Sequence, residues 1–483
     1  MARIILPQEQ IMSFLMFIYN HSPVLFQNLG INAYGWHWKR IRLGRVFEEE
    51  HPRWCEREEW PADRFKDYLA VKLREALKTA YERTEYYPAR WSEYGITRER
   101  IDRFTPSDLG ILPVTVKQDF RARPGNNWKD GEKSRDRVLV RRTSGSTGTP
   151  LEVAFGKRVL QEIYAAVEAR SYRWAGVSLR ESRSMIGARP IIPVSQKNPP
   201  FWRYNHFERQ VYLSAFHIAP ANIPDYYRAL NRFKPVFMTG FASANFFLAR
   251  MFDEAALCPH SPRAVVTSSE KLYPEMKETL ERVYRTKVYE SYGMVENCAM
   301  ATTCEYGRLH VSPDFGIVEI LREDGTQAGV GEVGRVVATG LVNTSSLFIR
   351  YDTGDLAAWS TESCPCSRSN LPVLKDIVGR LEDLVIGPDG RETIRFDRTF
   401  LEFPGIKQAQ VIQEAVDNLR LKLVTTPEYD PGAEKEIRKR FQAIMGEGMS
   451  LSIEKVDRIP LDPSGKFRAV ISKVKRERLG ERK

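Results

Sequence analysis

Several separated stretches of this 483-residue chain carry side chains able to manage phosphate, a divalent cation or a carboxylate. The first is TSGSTGTP, Thr143 to Pro150, which sets five hydroxyl residues and two glycines between an apolar run and the alternating stretch Leu151 to Phe155. Glycine accepts positive φ and lets a ligand approach the backbone, so such a loop can aim N–H groups and hydroxyls at an anion. A phosphate cradle and an ordinary polar turn both fit the octapeptide taken alone. It is not a Walker A loop, because Thr149 stands after Gly148 where that motif has lysine.

The cation must then come from elsewhere. In PLDPSGKFRAV, Lys466 follows Ser464 and Gly465 in a tight turn, either presented to a ligand or simply exposed. VTSSEKL places Ser269 and Glu270 at the end of an expected strand, where ligands of α/β sheets usually sit. In YESYGMVENC, Glu296 can hold Mg²⁺ against phosphate oxygens and Tyr292 can stack on a base; the plainer reading is a solvated glutamate and a packed tyrosine. Asp355 in IRYDTGDL is an acceptor suited to ribose hydroxyls, or part of a common Asp/Gly turn. Cys304 and His310 flank the turn of CEYGRLH, and Cys364-Pro365-Cys366 lies downstream. Three thiolates and an imidazole suit a closed tetrahedral Zn²⁺ site of structural type, against the alternative of buried free cysteines.

The elements that must position these groups follow from periodicity. Helical spacing dominates the first hundred residues, notably Phe65 to Tyr86, until Pro106 and Pro113 interrupt it. From Val138 strands and helices alternate: Val138 to Val140, a helix from about Arg158 to Arg170, the strand Ala264 to Val266, a helix near Pro274 to Tyr284, the strand Lys287 to Glu290. Strands Gly316 to Leu321 and Gly334 to Leu341 flank the turn signal Asp324-Gly325. The fold class is α/β, a large N-terminal domain of mixed sheets and helices over residues 1–378 whose first 110 residues form a largely helical extension. After Val378, VGRLEDLVIGPDG reads as a charged linker, a short strand and a turn, and residues 379–483 as a small, mobile α+β domain.

Composition narrows the function classes. With 42% hydrophobic and 11% aromatic residues the chain is globular, and no apolar run approaches the roughly 20 residues of a membrane span. The N-terminus lacks a secretory signal pattern, so a cytoplasmic location is expected. The net charge of +11 arises from 73 basic and 62 acidic residues mixed along the chain, and nucleic acid is not expected as a partner. Trp36, His37, Trp38, Lys39, Arg40 and Arg42 interleave aromatic and basic groups, for stacking on bases or for packing on a neighbouring domain. Six cysteines in a chain this long form no disulfide framework.

Taken together and in order, TSGSTGTP, SSEKL, SYGMVE, RYDTGD, GRLED and PSGK resemble the adenylate-forming superfamily of acyl- and aryl-CoA synthetases. Within it the chain looks most like the phenylacetate:CoA ligase branch, and FWRYN, FMTGFAS and GRLHVSPDFGIVEI look like relatives from capsular-polysaccharide biosynthesis. The resemblance implies that Ser144, Gly145, Ser146, Thr147, Gly148 and Thr149 wrap the β- and γ-phosphates of ATP. It implies that Ser269 and Glu270 line the adenine pocket, that Tyr292 stacks on adenine, and that Glu296 ligates Mg²⁺. Asp355, assisted by Arg380, would hold the ribose, and Lys466 would bridge the attacking carboxylate and the α-phosphate. Glu382 matches the pivot on which the small domain turns, with glutamate in place of the usual aspartate. Thr149 stands where many relatives have lysine, and Asp352 where many have arginine. Paired Cys…His and CxCG segments also occur in this branch, with Ser367 here in place of the glycine.

The expected activity is ATP-dependent conversion of a carboxylic acid into an acyl- or aryl-adenylate, followed by thioester formation with CoA. Transfer to a carrier-protein thiol, or to an amine or hydroxyl in polysaccharide or natural-product assembly, is the enzymatic alternative. A non-catalytic nucleotide-binding or nucleic-acid-binding protein is the alternative of another class.

Overall fold

The computed structural model describes residues 16–121, 126–128, 137–143, 151–187, 191–193, 196–218, 220–380, 385–388, 392–393, 403, 405–446, 448–460, 468 and 470–474. Its chain divides into two compact units, residues 1–353 with 358–376, and residues 354–357 with 377–483.

The first unit begins with helices Val24–Arg42, Arg45–Arg57 and Ala62–Arg83. Proline at the N-cap of the first and third, Pro23 and Pro61, sets where each begins, since its ring fixes φ and removes a donor. On the third helix Phe65, Leu73, Ala76, Leu77 and Ala80 recur at three- and four-residue spacing and are buried. Leu73, Ala76, Leu77 and Ala80 share one core with Trp54, Tyr87, Trp91, Phe348 and Tyr351, and Phe65 packs with Trp174, Cys304 and Leu371, so the helical extension is built into the large unit. Truncating a fully buried leucine there, such as Leu77→Ala, costs about 2–5 kcal/mol.

Two strands, β1 (Arg137–Arg142) and β2 (Glu152–Gly156), pair antiparallel around the hydroxyl-rich loop. The main sheet contains β3 (Arg183–Gly187), β4 (Trp202–Asn205), β5 (Gln210–Ser214), β6 (Phe237–Phe241), β7 (Ala264–Ser268) and β8 (Lys287–Gly293). It continues through β9 (Met300–Thr303), β10 (Leu309–Val311), β11 (Gly316–Leu321), β12 (Gly334–Gly340), β13 (Tyr351–Trp359) and β14 (Val373–Arg380). These twelve strands run in the order β11-β12-β13-β14-β10-β9-β8-β7-β6-β3-β5-β4. The stretch β5-β3-β6-β7-β8 is parallel, and its inner strands β6 and β7 are buried almost throughout. Gly240 (φ 125°) is required where β6 crosses β3, since a Cβ there would meet the Ile186 carbonyl oxygen at 1.8 Å.

Two local readings of the sequence change. The helix Lys157–Val167 stops short of Arg170 and passes into one π-helical turn, Glu168–Tyr172. The wider turn brings four consecutive residues, Glu168 to Ser171, into the interior, which a 3.6-residue period does not do. The backbone assigned to a linker at Val378 to Arg380 is instead the end of β14, where sheet pairing outweighs the charge of the local sequence.

The second unit carries a two-stranded pair, β15 (Val385–Ile386) and β16 (Glu392–Thr393). It also holds a four-stranded sheet of β17 (Ile406–Ala415), β18 (Asn418–Thr425), β19 (Ser450–Lys455) and β20 (Val470–Ser472), in the order β19-β18-β17-β20. Val411, Leu419, Leu421 and Leu423 meet Ile437, Phe441 and Met445 of the helix Ala433–Met445 in a separate core. Mixed α/β architecture thus holds in both units.

Candidate functional site

Thr143 closes the base of the hydroxyl-rich loop: its N–H donates to the Leu151 carbonyl at 2.9 Å, and its Oγ1 accepts from the Leu151 N–H at 3.0 Å. Ser144 to Thr149 lie outside the described residues. Strand β2, which leaves the loop, is fixed to the segment Asn343 to Ser346, distant in sequence. Ala154 N–H donates to Ser346 Oγ (2.8 Å) and Gly156 N–H to Ser345 Oγ (2.9 Å). Asn343 Oδ1 accepts from the Ser345 and Ser346 amides, both at 3.3 Å, while its Nδ2 donates to the Glu296 carbonyl at 3.4 Å. The Glu296 carboxylate is buried and accepts from the Tyr351 hydroxyl at 3.0 Å. Burial, with Glu296 beside it, raises the Tyr351 phenol well above its ordinary range, so the hydroxyl keeps its proton and donates. One hydrogen-bonded chain therefore joins the strand behind TSGSTGTP to the acid of SYGMVE and to the first residue of β13.

Ser269 leaves β7 with a left-handed backbone (φ 69°), a strained state for a non-glycine residue of the kind found at ligand-binding turns. Glu270 next to it accepts from the Ser243 N–H (2.9 Å) and Ser243 Oγ (2.6 Å), in the first turn of the helix Ala242–Glu254. A carboxylate there meets orphan amides and the positive end of the helix dipole. Lys271 Nζ donates to Asp376 Oδ1 at 2.6 Å, and Leu272 N–H to Glu290 Oε1 at 3.3 Å. These bonds fold SSEKL back over β8, where Ser268 pairs with Ser291 and Tyr292 pairs with Ala301 of β9. Glu290 is pushed up to about 7, chiefly by burial, and the Leu272 amide and Lys271 oppose that shift.

Asp355 stands in the middle of β13, after Gly354 (φ 77°), which supplies a left-handed step that a side chain would resist. Asp352 pairs with Arg335 (2.7 Å). Arg380 is the last residue of β14. Glu382 and Lys466 lie outside the described residues, but the ends of the Lys466 loop are tied. Val456 N–H donates to Leu423 O (2.9 Å) on one side, and Gln410 Nε2 to Arg468 O (2.8 Å) on the other.

The sulfur and nitrogen ligand atoms of Cys304, His310, Cys364 and Cys366 all fall within 4.8 Å of one another. Cys304 Sγ is 3.6 Å from Cys364 Sγ, and Cys366 Sγ is 3.3 Å from His310 Nε2. With Zn–S bonds of about 2.3 Å, a tetrahedral site needs sulfurs about 3.8 Å apart, so the set fits that ion. His310 Nδ1 lies 2.7 Å from the Leu371 carbonyl, which fixes the ring and leaves Nε2 facing the thiols. Burial pulls the imidazole below its ordinary pKa and pushes the Cys364 thiol up to about 12, the neighbouring thiols adding to the latter. By contrast Cys298 packs in the core, and Cys258 is exposed.

A family model described as the CapK C-terminal domain matches residues 387–473. Protein CapK of Staphylococcus aureus is 25% identical over 472 residues, covering 95% of this chain and 100% of CapK. Phenylacetate-coenzyme A ligase of Thermus thermophilus is 24% identical over 360 residues, covering 68% of this chain and 74% of the ligase. Among solved structures, 2-hydroxyisobutyryl-CoA ligase in its postadenylation state matches with a TM-score of 0.69 at 21% identity, over 86% of this chain and 91% of that one. The chain has the adenylate-forming fold.

Within the adenylate-forming fold, the described residues bring together the base of the hydroxyl-rich loop, Glu296 and the start of β13. Separately, they join Ser269 and Glu270 to the strand carrying Tyr292. Sequence reading missed Tyr351, Asn343, Ser243 and Glu290, which hold these groups in place. Tyr351 and Glu290 lie within the motif stretches RYDTGD and YESYG; Asn343 and Ser243 carried no signal, because their role depends on partners 47 and 27 positions away.

Proposed function

We propose that this chain is an ATP-dependent carboxylate ligase that forms an acyl- or aryl-adenylate and then a thioester, with coenzyme A as the acceptor. The observation that supports it most is the hydrogen-bonded chain from β2 through Ser346 and Asn343 to Glu296 and Tyr351, which ties the strand that follows the hydroxyl-rich loop to the segment carrying a buried carboxylate. A carboxylate is a poor electrophile because its oxygen leaves badly. Its attack on the α-phosphorus of ATP forms a carboxyl–phosphate bond and breaks the bond to pyrophosphate, which makes AMP the new leaving group. Ser144 to Thr149 hold the departing phosphates, Asp355 with Arg380 holds the ribose, and Tyr292 with Ser269 and Glu270 holds the adenine. Lys466 places an ammonium where two anions meet. Glu296 is the hard oxygen donor for Mg²⁺, which when bound supplies charge neutralisation at the phosphates. A thiol then attacks the acyl carbon and AMP leaves; Glu382 is the pivot that lets the small domain exchange the groups around that carbon. Cys304, His310, Cys364 and Cys366 hold a structural Zn²⁺ at the turn between β9 and β10.

Acid-dependent exchange of labelled pyrophosphate into ATP, screened over aryl, fatty and amino acids, tests the first step. No exchange with any acid would remove the reading. A second acceptor is the alternative: the acyl group passes to a carrier thiol, an amine or a hydroxyl. Comparing turnover with CoA, a carrier protein and amines separates the two.

A further inference from the structure

The first described helices expose an apolar stripe that neither unit's core absorbs. On Val24–Arg42 the buried positions are Gln27, Ile31, Gly35, Trp38 and Arg42, one face of the helix. That face lies against the β4–β5 hairpin: Asn32 Nδ2 donates to Tyr204 O (3.1 Å), Lys39 Nζ to Phe207 O (3.0 Å), and Arg203 Nε to Gln27 Oε1 (2.9 Å). A Cβ on Gly35 would overlap Asn205, so the two elements are in close contact. At 100° per residue, Leu29 falls opposite this face, with Phe26 and Trp36 on either side of that direction and Leu25 at the border. Leu25 is 67%, Phe26 60% and Leu29 60% exposed, and Phe17 and Ile18 extend the patch toward the N-terminus.

The charge around this stripe has one sign. Residues 10–47 contain no aspartate or glutamate. Lys39 and Arg40 flank the stripe near the helix C-terminus, and Arg209 is exposed on the hairpin turn that Lys39 contacts. Arg42 does not contribute, being buried against Glu208. The acidic residues that follow are paired, Glu49 with Arg45 (2.6 Å), Glu50 with Arg53 (2.7 Å), and Glu48 with Arg180. Leucine and phenylalanine on the outward face, an indole at its edge and basic groups beside it make the composition of a helix that lies in a bilayer interface. No described helix is long and apolar enough to cross a membrane, so the contact is one of lying on it.

We propose that the outward face of Val24–Arg42, centred on Phe26, Leu29 and Trp36 and flanked by Lys39 and Arg40, docks the protein on an anionic phospholipid surface. The inference does not rest on the proposed activity. The test is flotation of the full chain with vesicles of phosphatidylcholine alone or mixed with phosphatidylglycerol. The wild type floats with the mixed vesicles and releases at high salt. Phe26→Ser with Leu29→Ser lowers partitioning at least about tenfold, while far-UV circular dichroism and Tm stay unchanged. Lys39→Gln with Arg40→Gln removes the preference for phosphatidylglycerol, a drop of about tenfold. Absence of flotation by the wild type overturns the proposal. So does a concentration-dependent dimer in light scattering that the Phe26/Leu29 variant abolishes while vesicle binding is nil, which would assign the face to a second copy.

Discussion

The Tyr351 hydroxyl donates to Glu296 Oε1 across 3.0 Å, both groups being buried. Tyr351 opens β13, so one hydrogen bond couples the candidate metal ligand to the start of that strand. Tyr351→Phe keeps the ring and deletes the donor. Stability should fall by about 1 kcal/mol, and the Mg²⁺ concentration for half-maximal pyrophosphate exchange should rise several-fold. A variant with lower Tm and unchanged Mg²⁺ dependence would reduce Tyr351 to a packing residue.

Lys466 belongs to the second unit, on a loop whose far end is held by Gln410 at Arg468. In the proposed role it would stabilise charge only while phosphate is attacked. Lys466→Ala should lower pyrophosphate exchange by about two to three orders of magnitude, yet leave thioester formation from a synthetic acyl-adenylate near wild type. Equal losses in both half-reactions would contradict that division.

Four ligand atoms within 4.8 Å of one another predict close to one zinc per chain by elemental analysis. Cys364→Ser with Cys366→Ser should lose the metal and lower Tm by several degrees, because the turn between β9 and β10 and the loop from Glu362 to Leu371 then lose their shared anchor. Zinc-free wild type purified without chelator would remove the site.

Glu290 holds its proton up to about 7 because burial penalises its charge. An unfolded glutamate releases it near about 4.3. Between those values the folded state binds the extra proton, so stability falls as pH rises, by about 1–3 kcal/mol over the window. Glu290→Gln should flatten Tm against pH across that interval and raise it relative to wild type at pH about 8. An unchanged slope would show that Glu290 is ionised in the fold.

Pattern in the sequence carried the elements best where period and burial agree. The helix Pro274–Tyr284 has its proline at N1, and β11 and β12 flank the Asp324-Gly325 turn as the alternation implies. The π-helical turn at Glu168–Tyr172 was not legible, since Arg170 is inside only because Glu58 and Asp314 reach it from 112 and 144 positions away. For the site, the residue types proposed to touch phosphate, ribose and metal stood out in short motifs, and the Cys/His set could be assembled from spacing. What holds them, Tyr351 on Glu296 and Ser243 on Glu270, depends on sheet order and helix placement that no local window contains.

The central claim is that a carboxylate attacks the α-phosphorus of ATP. Using an acid that supports pyrophosphate exchange, with both carboxylate oxygens labelled with oxygen-18, mass spectrometry of the products decides it. The account predicts one labelled oxygen in AMP and none in pyrophosphate. Label absent from AMP, or ADP and phosphate as the products, would contradict it.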